Sequence, residues 1–133
     1  MTIRGSCMCG KVRFEIEGTP KAMGTCHCSR CRKLGTSTIV FVKRDQFTLR
    51  SGEDQIRTVV PEAPHIYHRS FCKGCGTALG EPLSPEESFP LNAQCLDDDP
   101  GLLNGFHECL EDRPVWAVSV ISTHPDSEKV DLI

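Results

Sequence analysis

The sequence predicts an all-β domain, on three observations. Residues 11–17 alternate polar and apolar side chains, as a strand with one buried face does. The 11 glycines and 9 prolines recur between short apolar segments. Almost no segment has the periodicity of an amphipathic helix. A chain of 133 residues is long enough for one domain with one core. We find no repeat and no boundary, so we expect residues 1–133 to form a single domain.

The strands can be assigned in chain order. In the first, residues 11–17, Val12, Phe14 and Ile16 point inward, and a Gly-Thr-Pro sequence ends the strand. Residues 36–42 are rich in β-branched side chains and predict a buried strand. Further strands are expected at residues 46–50, 55–60, 65–71, 77–79, 89–96 and 116–122.

Charge and composition exclude several classes of function. The net charge is −3 and the isoelectric point is about 5.9, so no broad basic surface is present to bind nucleic acid or an anionic membrane. The first ten residues lack the apolar run of a signal peptide, and no stretch approaches the roughly 18 apolar residues of a spanning helix. We therefore expect a cytoplasmic protein that acts on small molecules. The sequence carries no indication of the oligomeric state.

Seven of the 9 cysteines fall into three tight clusters. They are Cys7-x-Cys9, Cys26-x-Cys28-x-x-Cys31 and Cys72-x-x-Cys75. Thiolates at this spacing suit Zn²⁺, because a short turn can aim two or three sulfurs at one point about 2.3 Å away. A reducing compartment and the odd number of cysteines both disfavour disulfides. The four thiols of the outer pairs would complete a tetrahedron, whereas the three of the middle cluster leave one corner open.

The motifs occur in the order G-S-C-x-C-G-x-V-x-F, C-H-C-S-x-C-R, R-x-F-C-x-x-C-G-T and N-x-x-C-L-D-D, between Gly5 and about Trp116. This combination resembles the glutathione-dependent formaldehyde-activating enzyme family, which also includes centromere protein V-like domains. The resemblance implies a β-tent of small antiparallel sheets that holds two zinc ions per chain. It implies a structural zinc on Cys7, Cys9, Cys72 and Cys75, and a catalytic zinc on Cys26, Cys28 and Cys31.

An open three-thiolate site favours an enzyme that acts on thiols. A zinc-bound thiolate stays nucleophilic near neutral pH, because the metal lowers its pKa. Three protein thiolates also reduce the Lewis acidity of the metal, which favours activation of a thiol over activation of water. The first hypothesis is therefore a zinc-dependent carbon–sulfur lyase-like enzyme. It would join or separate a thiol such as glutathione and a small aldehyde such as formaldehyde.

The alternative is a non-catalytic, zinc-stabilised binding module with two structural sites. The middle cluster would then take a fourth ligand from His27, Cys95, His107 or Cys109. Ligation by His27 is the least expected, because adjacent residues of an extended segment point in opposite directions. Cys95, in a predicted strand, is expected to be an ordinary buried thiol. A middle cluster that is empty or only partly occupied is the third possibility.

Ser29 is expected to cap a short helical turn that Gly35 ends. The charged residues in this turn and in the aspartate run each have two interpretations. Three cations lie in this turn: Arg30, Arg32 and Lys33. They could attract the carboxylates of a substrate such as glutathione, or simply form a solvated face. Residues 97–99, three aspartates, predict a solvated turn; one of them could also serve as a proton acceptor at the site.

Overall fold

The computed structural model describes residues 1–117. Within that range the chain forms 10 β-strands and one α-helix, which confirms the predicted all-β fold. The first sheet contains β1 (Thr2–Ser6), β2 (Arg13–Glu17) and β5 (Phe47–Ser51), in that order across the sheet. The second sheet has seven strands. In order across it, they are β10 (Phe106–Glu108), β3 (Ala22–Cys26), β4 (Thr38–Lys43), β9 (Ser88–Asn92), β8 (Ala78–Gly80), β7 (Arg69–Cys72) and β6 (Ile56–Val59).

Strand direction corrects one detail of the prediction. All neighbouring strands are antiparallel except β10 and β3, which run parallel. The larger sheet is therefore mixed rather than purely antiparallel. No helix in the described part of the chain has the length and apolar character needed to cross a membrane.

Aromatic side chains join the two sheets. The ring of Phe47, on β5, lies 5.5 Å from the ring of Phe14 on β2 and meets the ring of Phe89 on β9 edge-on at 5.3 Å. Phe14 and Phe89 are almost fully buried, and each such burial contributes about 1.5–3 kcal/mol. The same core cluster includes Cys7 and Cys72. Two of the candidate metal ligands are thus fixed by the packing of the core.

Most predicted elements form with shifted ends. Val12, Phe14 and Ile16 are buried as expected. The strand expected at 65–71 begins only at residue 69, and the one expected at 89–96 ends at residue 92. There the side chain of Asn92 accepts a hydrogen bond from the backbone N–H of Gln94, and a 3₁₀ turn, Ala93–Cys95, follows. The strand expected at 116–122 is wrong for residues 116 and 117, which belong to a 3₁₀ turn, Val115–Ala117, and its residues 118–122 lie outside the described part.

The short helix, α1 (Ser29–Leu34), ends at Gly35 as predicted, with φ of 79° at that glycine. The predicted cap, however, is wrong by one residue. Cys28, not Ser29, is the N-cap, because its sulfur accepts the hydrogen bond from the backbone N–H of Cys31 at 3.2 Å. A candidate ligand thus also caps the helix that carries the next one.

Three strands give no sequence signal that we recognised: β1, β3 and β10. β3 and β10 position the three-cysteine cluster, since Cys26 ends β3 and pairs in register with Glu108 of β10. A close contact holds the two strands together. A Cβ added to Gly24 on β3 would lie 2.3 Å from the ring of Phe106 on β10, so only glycine leaves room for that ring.

Candidate metal centres and adjoining pocket

The thiols of the two outer pairs converge. The sulfurs of Cys7, Cys9, Cys72 and Cys75 all lie within 4.8 Å of one another. Those of Cys7 and Cys9 are 3.6 Å apart, and those of Cys9 and Cys72 are 3.9 Å apart. A tetrahedron with Zn–S bonds of about 2.3 Å has sulfur–sulfur edges of about 3.8 Å. This group, the four-thiol site, therefore fits a zinc ion with no remaining coordination position.

Local hydrogen bonds orient these sulfurs. The backbone N–H of Val12 donates to the Cys7 sulfur at 3.3 Å, and the Thr77 hydroxyl lies 3.1 Å from the Cys75 sulfur. The Thr77 hydrogen bond is the main cause that lowers the pKa of the Cys75 thiol, which favours the thiolate that a metal requires. The chain reverses after each pair through a glycine with positive φ, Gly10 or Gly76.

The middle cluster also converges, with three thiols. The sulfurs of Cys26, Cys28 and Cys31 lie within 4.8 Å of one another. Cys26 ends β3, Cys28 caps α1, and Cys31 follows in the first turn of α1. One strand end and one helix start therefore suffice to aim all three sulfurs at one point. This group, the three-thiol site, fits zinc in ligand type and spacing.

Arg69 places a positive charge beside the three-thiol site. Its Nη2 donates to the sulfur of Cys31 at 3.4 Å. Burial raises the pKa of the Cys31 thiol to about 12, and Arg69 opposes that rise. A thiolate at this buried position therefore depends on nearby positive charge, which Arg69 supplies in part and a metal ion would supply in full.

A small pocket opens beside the three-thiol site. It has a volume of about 70 Å³, and Cys26 and Cys31 form part of its wall. A larger groove of about 720 Å³ adjoins it. Four residues line both: Phe41, Tyr67, Glu81 and Pro90. A ligand could therefore lie along the groove and reach the sulfurs of the three-thiol site through the pocket.

Two charged side chains occupy this passage. Arg69 lines the small pocket, and Glu81 lies where the pocket joins the groove. The Glu81 carboxylate accepts a hydrogen bond from the backbone N–H of His68 at 2.6 Å, and burial raises its pKa. The three cations predicted to attract a substrate do not line the pocket or the groove: Arg30, Arg32 and Lys33.

Sequence reasoning missed Arg69, although a signal existed. Arg69 stands three residues before Cys72 on a strand, so the two side chains point to opposite faces. Cys72 faces the core and the four-thiol site, while Arg69 faces the three-thiol site. The alternation along β7 could have placed this arginine near the second site.

The remaining histidines and cysteines lie in different surroundings. His27 is buried, and its Nε2 lies 3.0 Å from Nδ1 of His107. Cys95 is buried in the core and donates to the carbonyl oxygen of Ala78 at 3.3 Å. The sulfur of Cys109 lies 4.0 Å from that of Cys26. Of the two spare thiols, only Cys109 approaches the three-thiol site in the described part of the chain.

The acidic turn is held against β1. Asp97 accepts a hydrogen bond from the Ser6 hydroxyl at 2.8 Å, and Asp98 forms an ion pair with Arg4 at 2.8 Å. Asp99 accepts one from the N–H of residue 101. None of the three lines the pocket beside the three-thiol site, so the structure offers no support for a proton acceptor there.

Comparison with known proteins identifies the family of the chain. The family model described as glutathione-dependent formaldehyde-activating enzyme matches residues 2–110. The chain belongs to the glutathione-dependent formaldehyde-activating enzyme family. The family match spans every clustered cysteine and both spare ones, which confirms the resemblance inferred from the motifs.

Two known proteins are similar to this chain. A Halomonas elongata protein, provisionally named as a glutathione-dependent formaldehyde-activating enzyme, is 32% identical over 134 aligned positions, covering 87% of this chain and 80% of that protein. The crystal structure of a Rhodobacter sphaeroides protein superposes with a TM-score of 0.59 at 22% identity, covering 72% of this chain and 89% of that one. The similarity to the second protein is one of fold.

Proposed function

We propose that this chain is a zinc-dependent enzyme that joins or separates a thiol and a small aldehyde, with glutathione and formaldehyde as the pair that the family name indicates. One observation carries the proposal. Two of the three clustered cysteines, Cys26 and Cys31, form part of the wall of a pocket that adjoins a large groove. A purely structural site has no need of such access.

Each thiol group has a proposed role. Cys7, Cys9, Cys72 and Cys75 hold a structural zinc, and Cys26, Cys28 and Cys31 hold a catalytic zinc with a position for the substrate sulfur. When bound at the second group, zinc keeps a substrate thiol in its nucleophilic thiolate form near neutral pH. Free clustered thiols suit a reducing compartment, so we also propose a cytoplasmic location.

The chain itself binds and orients the substrate. The groove volume, about 720 Å³, lies in the range of sites for ligands of glutathione size. Glutathione has two carboxylates and one ammonium group. Arg69 lines the small pocket, and Glu81 lines both the pocket and the groove, so Arg69 can receive a carboxylate and Glu81 can receive the ammonium.

The proposed reaction is the addition of a thiol to a carbonyl. The substrate sulfur attacks the aldehyde carbon, and a carbon–sulfur bond forms as the C=O double bond becomes a single bond. The aldehyde oxygen gains the proton that the thiol lost, giving an S-hydroxymethyl adduct. The reverse reaction releases the thiol and the aldehyde. The small pocket admits a one-carbon aldehyde next to the sulfurs of Cys26 and Cys31.

The second candidate is a non-catalytic module with two structural zinc sites. The observation in its favour is the sulfur of Cys109, 4.0 Å from that of Cys26, which could close the three-thiol site. Under this alternative, both zinc ions would resist a mild chelator equally, and no added thiol would reach either one.

The test is the rate at which zinc-loaded protein interconverts formaldehyde with glutathione and the S-hydroxymethyl adduct, measured by exchange NMR. Cys28→Ser is the informative variant, because serine keeps the N-cap of α1 while it removes a thiolate. We expect it to abolish the acceleration and to lose one zinc per chain. Cys95→Ser, which alters a core thiol, should keep both. If the two variants accelerated the interconversion equally, the proposed enzymatic activity would be refuted.

A further inference from the structure

Cys109 stands beside the three-thiol site through the pairing of two strands. β10 runs parallel to β3, with Glu108 opposite Cys26, so Cys109 is the first residue beyond the paired segment. A hydrogen bond from the N–H of His27 to the carbonyl oxygen of Glu108, at 2.9 Å, holds the end of β10 in place. The sulfurs of Cys26 and Cys109 are 4.0 Å apart. Two thiolates on one tetrahedral zinc lie about 3.8 Å apart.

We propose that Cys109 is the fourth protein ligand of the three-thiol site in the resting protein, and that it withdraws when a substrate thiol binds. The ligand assignment requires only that the three-thiol site holds a metal. The withdrawal rests on the proposed function, because it needs a thiol substrate.

The position of Cys109 suits a ligand that can leave. The sulfurs of Cys26, Cys28 and Cys31 all lie within 4.8 Å of one another, but the Cys109 sulfur does not lie that close to all three. The Cys109 side chain must therefore turn to complete the tetrahedron. β10 has three residues, and among residues 1–117 it is the outermost strand of its sheet and pairs only with β3. The other ligands are held by β3 and by the first turn of α1. Cys109 is therefore the least restrained of the four.

A competing ligand set exists on the other side of Cys109. Its sulfur also lies within 4.8 Å of carboxylate oxygens of Glu111 and Asp112. Both carboxylates are exposed, and one thiolate with two solvated carboxylates is a poor match for zinc compared with four thiolates. The three-thiol site is thus the better partner for Cys109.

The exchange balances in protons and charge. The substrate sulfur loses its proton as it takes the position of the Cys109 sulfur, and the Cys109 sulfur gains one as it leaves. The number of thiolates stays at four, so no proton goes to solvent. Cys109 is not one of the described residues that line the small pocket. Its withdrawal therefore leaves the space for the substrate clear.

The experiment uses the full chain loaded with Co²⁺, whose thiolate-to-metal charge-transfer absorption scales with the number of bound thiolates. With both sites filled, Cys109→Ser should lose about one eighth of this intensity, since seven thiolates replace eight. Cys109 has a positive φ of 56°, and serine should tolerate this backbone conformation as well as cysteine does. Cys95→Ser and the double variant Glu111→Gln, Asp112→Asn should keep the wild-type intensity.

Added glutathione then separates the two proposals. We expect it to raise the intensity in Cys109→Ser, where a sulfur is gained, and to leave the wild-type intensity unchanged, where one sulfur replaces another. An equal rise in both proteins would overturn the role of Cys109 while the thiol-binding site stands. No rise in Cys109→Ser would overturn the proposed function and the withdrawal step. Equal intensity of Cys109→Ser and wild type before glutathione is added would overturn the ligand assignment.

Discussion

Cys72→Ser should prevent stable folding, rather than give a folded and inactive protein. The sulfurs of Cys9 and Cys72 are 3.9 Å apart and separated by 63 residues. Cross-linking a loop of that length removes chain entropy worth about 4 kcal/mol. Cys72 is also fully buried, and an unpaired serine hydroxyl there costs about 1–3 kcal/mol. If the four-thiol site holds zinc, as proposed, and the remaining three thiols no longer retain it, the loss is about 5–7 kcal/mol, which rivals the whole stability of a typical domain.

The assay is urea unfolding followed by circular dichroism, with zinc content measured on the same samples. The matched control is Cys95→Ser, which also replaces a buried thiol but can donate to the same carbonyl oxygen of Ala78, so it should lose about 1 kcal/mol or less. Wild-type protein treated with a strong chelator should approach the behaviour of Cys72→Ser. A Cys72→Ser protein that lacks its structural zinc but unfolds at the wild-type urea concentration would show that the metal does not stabilise the fold.

Three further predictions concern other parts of the structure. Arg69→Ala removes a charge-assisted hydrogen bond worth about 1.5–3 kcal/mol, so competitive chelator titration should find metal affinity at the three-thiol site reduced about tenfold or more. Gly80→Ala should destabilise the fold by about 2–4 kcal/mol, because the added Cβ would lie 2.7 Å from the backbone of β9 and the residue has φ of +83°. The control is Gly101→Ala, whose Cβ would have no atom within 4 Å. In the same urea assay it should lose only about 1–2 kcal/mol, the cost of a positive φ for alanine. Arg4 holds the pKa of Asp98 well below its usual range. The ion pair therefore stabilises the fold fully above the unfolded-state pKa of about 4, and this stabilisation is lost as the pH falls through the pKa of Asp98 in the folded protein. Asp98→Asn should be less stable than wild type at pH 7 and equally stable in strong acid.

The four-thiol site was the most predictable feature of the molecule. Two close pairs of cysteines, each followed by a glycine, require only that the two turns meet, and the ligand number then defines the site. The four sulfurs do converge, within 4.8 Å of one another, and the bound zinc stays a prediction. The alternation of residues 11–17 likewise predicted the inward side chains of β2 without knowledge of the partner strands. In both cases the information lies within a few neighbouring residues.

The surroundings of the three-thiol site depended on long-range pairing, so the sequence could not supply them. Cys109 is 83 residues from Cys26, and only the parallel pairing of β10 with β3 brings them together. β10 has three residues, too few for a period of two to be recognised. The predicted substrate cations Arg30 and Arg32 came from proximity in sequence, whereas Arg69 reaches the site from a strand across the sheet.

The topology explains why the two thiol groups should behave differently. The four-thiol site takes two sulfurs from the turn after β1, one from the last residue of β7 and one from the turn that follows, and strands on both sides of each turn fix their positions. The three-thiol site takes its ligands from one six-residue segment, and the nearest fourth sulfur comes from a three-residue edge strand. β7 links the two, with Cys72 in the first site and Arg69 against the second. The four-thiol site therefore positions the arginine at the three-thiol site, whereas the proposed fourth ligand, Cys109, follows a strand of only three residues. If Cys109 is the fourth ligand, as proposed, three ligands of the metal are held in place and one can move. Such a centre can stay closed at rest and still accept a substrate.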